Sequence, residues 1–280
     1  MDGTTQSTVI ERNAADLWRA VLEDDSDTVL AVGLSTDVID GLLEALRERD
    51  DTPSIRVLAA ETVLKDLVSD FTVAGTIADF VAEDVLSLRT TENRLDGPLV
   101  VTEKKVITIV PTDAQAAGIG TDDEEFVENA RRHYVDRWEN AEPFTLRTPP
   151  LSRVRETLET ELGPEVTDDF EQIRTTLQTT RDNDHSGLDG VDLCLLAAAK
   201  SGALLYDIST WGESVGLASR ATFSRKKTAF EEMGLIETEK VPIDVGRPRQ
   251  RLVLGDERLQ GVDADELVGV VGSITPVTGS

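Results

Sequence analysis

Apolar positions along the first 145 residues follow two different periods. Short β-rich apolar runs occur at TVLAVGL (28–34), IRVLAA (55–60), VLSLRT (85–90), PLVVT (98–102) and KVITIV (105–110), each of strand length. Between the first two lies VIDGLLEALRERD, in which Val38, Leu42, Leu43 and Leu46 recur at the three- and four-residue spacing of one buried helical face. Ser35, Thr36 and Asp37 just before it are N-cap candidates. Strand, helix and strand with short connections form a βαβ unit, so at least part of the sheet is parallel. A further helical stretch spans 61–83, and a tight turn at Glu103 and Lys104 joins the last two strands. The segment DDEEFVENARRHYVDRWENA (122–141) opens with acids, which suit the positive end of a helix, and repeats Phe126, Ala130, Tyr134 and Trp138 every four residues. The pattern predicts an α/β domain over 1–145.

Three prolines in EPFTLRTPPLS break this pattern and mark a domain boundary. Helical stretches at 151–162 and 165–181 follow, ending in the polar loop RDNDHSG, so 146–186 reads as a helical connector and a candidate dimerisation element. From Leu188 the pattern becomes three short helices and a two-stranded ribbon. LDGVDLCLLAAAKSG is closed by Gly202, DISTWGESVG is closed by Gly216, and Ser219 caps a third helix running to Met233. LIETEKV and QRLVL then read as strands joined by PIDVGRPR. This order is a winged helix-turn-helix over 187–256, and 257–280 is a C-terminal tail of weak pattern. Phe223, Phe230 and Met233 share one stripe of the third helix and read as core, as does Trp211.

Charge changes the picture. The 280 residues hold 54 Asp and Glu against 28 Lys and Arg, a formal net charge of −26, and only seven of the cations are Lys. Acids spread along the chain without ligand spacing read as a hydrated surface, the habit of proteins from salt-saturated cytoplasms, rather than as a metal or cation site. No run approaches the ~20 apolar residues of a membrane span, and the start MDGTTQSTVIERN lacks a signal-peptide pattern, so a cytoplasmic protein without membrane association is expected. The single Cys194, inside VDLCLLAAA, reads as a small buried residue rather than a nucleophile. No metal or cofactor is expected.

Against that acidic background, Arg220, Arg225, Lys226 and Lys227 gather within eight residues that contain no acid. A helix entering the major groove sits among phosphates and needs cations, and arginine can also read guanine edges through two parallel hydrogen bonds. Ser219, Thr222 and Ser224 add short polar groups near the helix start, suited to phosphate or base edges. The expected wing tip, GRPR, places Arg247 and Arg249 beside a glycine and a stiffening proline, with Arg251 behind them. Such a tip suits a narrow minor groove, where negative potential is concentrated. These ten residues are the candidate contacts to double-stranded DNA.

This region resembles the winged-helix domains of bacterial and archaeal regulators in Gly216, Leu217, Ser219, Thr222, Arg225, Glu231, Gly234, Leu235, Ile236 and Glu237, with GRPR following. It departs from them in the extra Ala218 and in offering Lys226 or Lys227 where an aliphatic residue belongs. The first half resembles the phospholipase-D-like effector domain of TrmB-type sugar-responsive regulators, in LAVGLSTDVIDGLLEALRERD, IRVLAA and DGPLVVTEKKVITIVP. Enzymes of that fold carry His-x-Lys pairs. Here His133 and His185 both lack the lysine, so no catalytic residue is assigned. Over its length the chain resembles the haloarchaeal TrmB-suppressor (TbsP) regulators, which implies control of central carbon metabolism genes.

The expectation is therefore a homodimeric, sequence-specific transcription regulator whose N-terminal domain is a candidate sensor of a small metabolite. The alternatives are a DNA-architectural protein with no effector, and an enzyme built on the α/β domain.

Overall fold

The computed structural model describes residues 6–23, 26–91, 95, 97–112, 115–179, 188–243, 248–255, 259, 267, 269 and 271. The chain divides into two compact units at Leu146 and Arg147, within the proline-rich break.

In the first unit, β1 (Gln6–Glu11), α1 (Ala14–Leu22), β2 (Thr28–Val32), α2 (Thr36–Arg47) and β3 (Ser54–Ala59) are followed by α3 (Glu61–Leu67), α4 (Phe71–Ala82) and β4 (Leu86–Thr90). Then come β5 (Leu99–Val101), β6 (Val106–Pro111), β7 (Ala116–Thr121), α5 (Glu124–Glu139) and the two-residue β8 (Glu142–Pro143). The strands form one mixed sheet in the order β1-β7-β6-β5-β2-β3-β4-β8. Neighbours β2, β3 and β4 run parallel, and the other pairings are antiparallel. The expected helical stretch 61–83 is two helices, because the chain breaks at Val68 and restarts at Asp70, whose carboxylate accepts from the Val73 amide at 2.9 Å. Strands β1 and β7 were not among the sequence expectations. AAGIGT carries two glycines and little β signal, and its pairing with β1 joins segments about a hundred residues apart.

Alternation along the central strands splits the core between two faces. One face, built on Ile55, Val57 and Ala59 of β3, packs against α1 and α2 through Trp18, Ile39, Leu42 and Leu46. Trp18 is fully buried and donates its indole N–H to the Val38 carbonyl at 2.8 Å. The other face, with Leu30, Val32, Leu58 and Val101, is covered by α5. Here the expected stripe shifts: Val127, Tyr134 and Trp138 are buried with Ala130 packed beside them, whereas Phe126 is 53% exposed. The i, i+4 rule names one line along a helix, while a sheet covers a broader arc, and Val127 is the residue on that arc.

The second unit contains α6 (Leu151–Leu162), α7 (Pro164–Thr179), α8 (Gly190–Lys200), α9 (Leu205–Ser214), α10 (Arg220–Glu232) and a hairpin of β9 (Ile236–Val241) and β10 (Arg249–Leu254). The helices expected as a connector pack within this unit. Val154 and Leu158 of α6 and Val166, Phe170 and Ile173 of α7 are buried. The Trp211 indole of α9 donates to Thr157 Oγ1 at 3.0 Å, and Asp169 of α7 accepts from Lys200 Nζ at 2.7 Å and from Ser201 Oγ at 2.8 Å. In the stretch expected as a tail, Leu259, Leu267 and Val271 are fully buried. Cys194 is fully buried, and desolvation together with the charges of Asp189 and Asp192 pushes its thiol well above the ordinary range, which agrees with a packing role. Among the described residues, no helix is long and apolar enough to cross a membrane.

The placement of α5 makes a contrast that can be measured. Val127→Ala should lower the stability of the first unit by about 1–2 kcal/mol, at ~0.8 kcal/mol per buried methylene equivalent. Phe126→Ala should stay within about 0.5 kcal/mol, as an exposed site does. Denaturant melts of the two variants check this, and a reversed order would place Phe126, not Val127, on the packed face.

Candidate nucleic-acid interface

Three local decisions build the helical pair at the heart of the second unit. Helix α9 ends at Ser214, and Gly216, at φ +84°, takes the left-handed turn that only glycine adopts without strain. Ser219 then caps α10, its Oγ accepting from the Thr222 amide at 3.2 Å. Finally, α9 meets α10 at Gly212, where an added Cβ would lie 2.4 Å from the ring of the fully buried Phe223. The absent side chain lets the two helices approach closely.

Helix α10 is held by one face. Phe223, Lys227 and Phe230 are buried. Lys227 occupies the aliphatic position of the stripe: its stem is buried and its ammonium turns back to Glu231 Oε2 at 2.7 Å. Glu231 also accepts from Thr238 Oγ1 of β9 at 2.9 Å, which ties the end of α10 to the hairpin. Burial pushes the Glu231 carboxyl up, but the hydrogen bonds from Lys227 and Thr238 and the Lys227 charge outweigh it and leave the group below its ordinary value.

Lys226 is held from the other side. Its ammonium lies 2.7 Å from Asp192 Oδ2 and 2.9 Å from Asp189 Oδ2, both in the first turn or cap of α8. These two aspartates form the capping box of α8, with Asp189 accepting from the Val191 and Asp192 amides and Asp192 accepting from the Asp189 amide. Desolvation raises the Asp192 carboxyl above its usual value, only partly offset by Lys226 and the Asp189 amide. Burial lowers Lys226, but its bonds to Asp192 and Asp189 prevail and leave it raised.

These contacts engage two of the cations expected to face DNA. Lys226 and Lys227 are both paired with carboxylates of the same unit, and Lys227 is buried. Arg220 is exposed but paired with Glu213 at 2.8 Å. Arg225 is exposed and has no ion pair or hydrogen bond among the described residues. Ser219 and Ser224 are exposed and Thr222 is half-buried. In the hairpin, Arg249 stacks over the Tyr206 ring at 4.5 Å and lies 3.3 Å from Asp207, so α9 fixes its orientation. Arg251 is exposed on β10, and Arg247 lies outside the described residues.

With the buried stripe located, the outward face of α10 can be read off as Ala221, Ser224, Arg225 and Thr228, all exposed. Ala221 and Thr228 were missed by a search for charge. The helical period counted outward from Phe223 and Phe230 would have found them. Short side chains let a helix sit close to base edges, alanine and the threonine methyl suit a thymine methyl, and one arginine supplies the long fork donor. Lys240 is a further exposed cation, on β9 opposite Gln250.

The chain matches two family models end to end. Residues 6–149 match the N-terminal domain of TbsP-like transcriptional regulators, and residues 150–272 match the C-terminal helix-turn-helix domain of the same regulators. No curated protein matches. Among solved structures the chain is similar to TrmBL2, an archaeal chromatin protein whose structure shows a novel mode of DNA binding, at 17% identity and TM-score 0.36 over 50% of this chain and 54% of that one. The chain thus spans about half the length of TrmBL2. It is also similar to Nuc of Salmonella typhimurium, a phospholipase D family member, at 14% identity and TM-score 0.37 over 50% of this chain and 99% of that one. NucT from Helicobacter pylori matches at 11% identity and TM-score 0.38 over 51% and 100% of the respective chains.

The contact of Gly212 with Phe223 sets a prediction for this unit. Gly212→Ala should destabilise it by about 1–3 kcal/mol through overpacking against a buried ring. Thermal melts of the full chain check it; an unchanged second-unit transition would mean the helices can separate at no cost.

Proposed function

We propose that the chain, which belongs to the TbsP-like family of transcriptional regulators, binds promoter or operator DNA by setting the N-terminal half of α10 into the major groove. The observation that carries this reading is the outward face of α10, where Arg225 stands unpaired among Ala221, Ser224 and Thr228. Ser219 and Thr222 sit at the positive end of the helix and are suited to a phosphate. Arg220 joins them by exchanging Glu213 for a phosphate. Arg249, braced on Tyr206, and Arg251 serve the wing, with Arg247 as its minor-groove contact.

The regulated genes are those of central carbon metabolism in the cytoplasm of a halophilic archaeon, and a metabolite sensed by the first unit modulates binding. The acid-rich, lysine-poor composition and the likeness to haloarchaeal regulators support this. The working form is a homodimer, which reads two half-sites one DNA turn apart. Its supporting surface is in the first unit. Register places Ile10, Ala117 and Val110 in one row across β1, β7 and β6, with Ile119 two residues along the same face. Ile10, Val110 and Ile119 are 61%, 43% and 50% exposed, so this part of the sheet keeps an apolar face in the single chain. The apolar stripes of α6 and α7, by contrast, are already covered.

Binding to operator DNA, located on the genome first, should weaken by roughly 5- to 150-fold in Arg225→Ala, about 1–3 kcal/mol, with relaxed base preference. If Arg225 contacts phosphate instead, the slope of log K against log[KCl] should fall by about 0.9 with no change in base preference. Lys227→Met should leave both quantities as in wild type. Arg225→Ala binding like wild type on operator and shuffled DNA alike would refute the docking.

The homodimer has its own test. Light scattering in molar KCl should give twice the 30.5 kDa chain mass, and Ile119→Asp should reduce it to one chain. A wild-type protein of single-chain mass would remove the dimer from this reading.

A further inference from the structure

Arg56 sits near the middle of β3, an interior strand of the sheet, in a position that alternation reserves for an apolar side chain. It shares the α5-covered face with the fully buried Leu58 and pairs in register with Leu30 of β2 and Ser87 of β4. Arginine keeps its charge at any physiological pH, so a half-buried guanidinium needs an anion or hydrogen-bond acceptors. The chain has 54 acidic residues, yet the Arg56 side chain makes no ion pair or hydrogen bond among the described residues.

Space lies beside it on both sides. One open cleft of about 370 Å³, between α5 and the sheet, is lined by Arg56, Arg131 and Arg132 together with Thr28, Leu30 and Val101. A second, of about 540 Å³, is lined by Arg56 with Arg89 and Trp138. Their charge differs. The second contains Asp84 and Glu139, and its Arg89 is already fixed by the carbonyls of Trp138 and Glu139 at 2.9 Å each. The first holds three guanidiniums against one lining carboxylate, Glu128, which is engaged by Arg132 at 3.0 Å, while Arg131 is held by Glu103 at 2.9 Å. The partners of Arg131 and Arg132 brace them at the cleft mouth and leave Arg56 as the open fork at its floor.

We infer that the first cleft binds a small metabolite through a carboxylate or phosphoryl group seated on the Arg56 guanidinium. A planar guanidinium matches either oxyanion with two parallel hydrogen bonds. The Thr28 hydroxyl is a further donor, and Leu30 and Val101 face the carbon skeleton. A cleft of this size falls in the range of small-molecule sites. The inference deepens the metabolite-responsive part of the reading above and rests on it only for the consequence of binding at DNA.

The test is calorimetric titration of the full chain, without DNA, at fixed molar KCl, using succinate as the carboxylate probe, inorganic phosphate as the phosphoryl probe and glucose as an uncharged control. Saturable binding of succinate or phosphate, no heat from glucose and at least tenfold weaker binding in Arg56→Leu are expected, and the probe that binds identifies the oxyanion. Arg56→Leu should melt no lower than wild type, since leucine fits beside Leu30 and Leu58. Should it nevertheless unfold, Arg56→Lys, which keeps the charge and loses the fork, decides by a several-fold loss. Arg225→Ala should bind the probe like wild type, so failure of the DNA reading and failure of this site remain distinguishable. The inference is overturned if neither oxyanion saturates wild type, or if the folded Arg56 variants bind as wild type does.

Discussion

The close crossing of α9 and α10 at Gly212 is the constraint on which the second unit turns. With no Cβ at that point the Phe223 ring fills the space, and this sets which face of α10 is buried. Phe230 follows two turns along, and Lys227 between them is committed to the interior. A lysine in that position is tolerated because its stem is apolar and its head reaches Glu231 at the edge of the buried zone. The same choice of face sends Lys226 toward the α8 cap and Arg225 outward. The outward surface is thus a consequence of the packing, not an independent feature of the charge pattern.

Charge in this chain works at two scales. A net charge of −26 keeps the surface hydrated and repels DNA from most approaches. Within the second unit, two cations of the basic cluster read from the sequence also act as internal ties, Lys226 to Asp189 and Asp192 and Lys227 to Glu231, as Lys200 does to Asp169. Few free cations remain to face phosphates. In concentrated salt such an arrangement would cost little, since counterion release contributes least there and shape and direct base contacts carry more of the affinity.

The first unit uses its mixed sheet in three ways. One face carries the main core under α1 and α2. Part of the opposite face is roofed by α5, whose flank leaves the cleft floored by Arg56. The remainder, over β1, β7 and β6, keeps Ile10, Val110 and Ile119 exposed. One helix, too narrow to cover eight strands, therefore divides that face into a packed zone, a charged trough and an apolar surface.

Local signals determined much of this protein. The βαβ order, the domain break at the prolines, Gly202 and Gly216 as helix ends, Ser219 as a cap and the hairpin from 236 to 254 were legible because each depends on residues within a turn or two of one another. What the sequence could not decide depends on partners far along the chain. Whether Lys226 faces outward or the interior rests on Asp192, 34 residues earlier. The break between α3 and α4 is an exception, a local Asp70 cap that reaches only to Val73. The pairing of β1 with β7 joins segments about a hundred residues apart. Arg56 was visible as a charge inside IRVLAA, but its lack of a partner is a property of the neighbouring strands and of α5. Periodicity names the elements because it is a short-range property of the backbone. The free or neutralised state of a charge is long-range, and only the folded chain settles it.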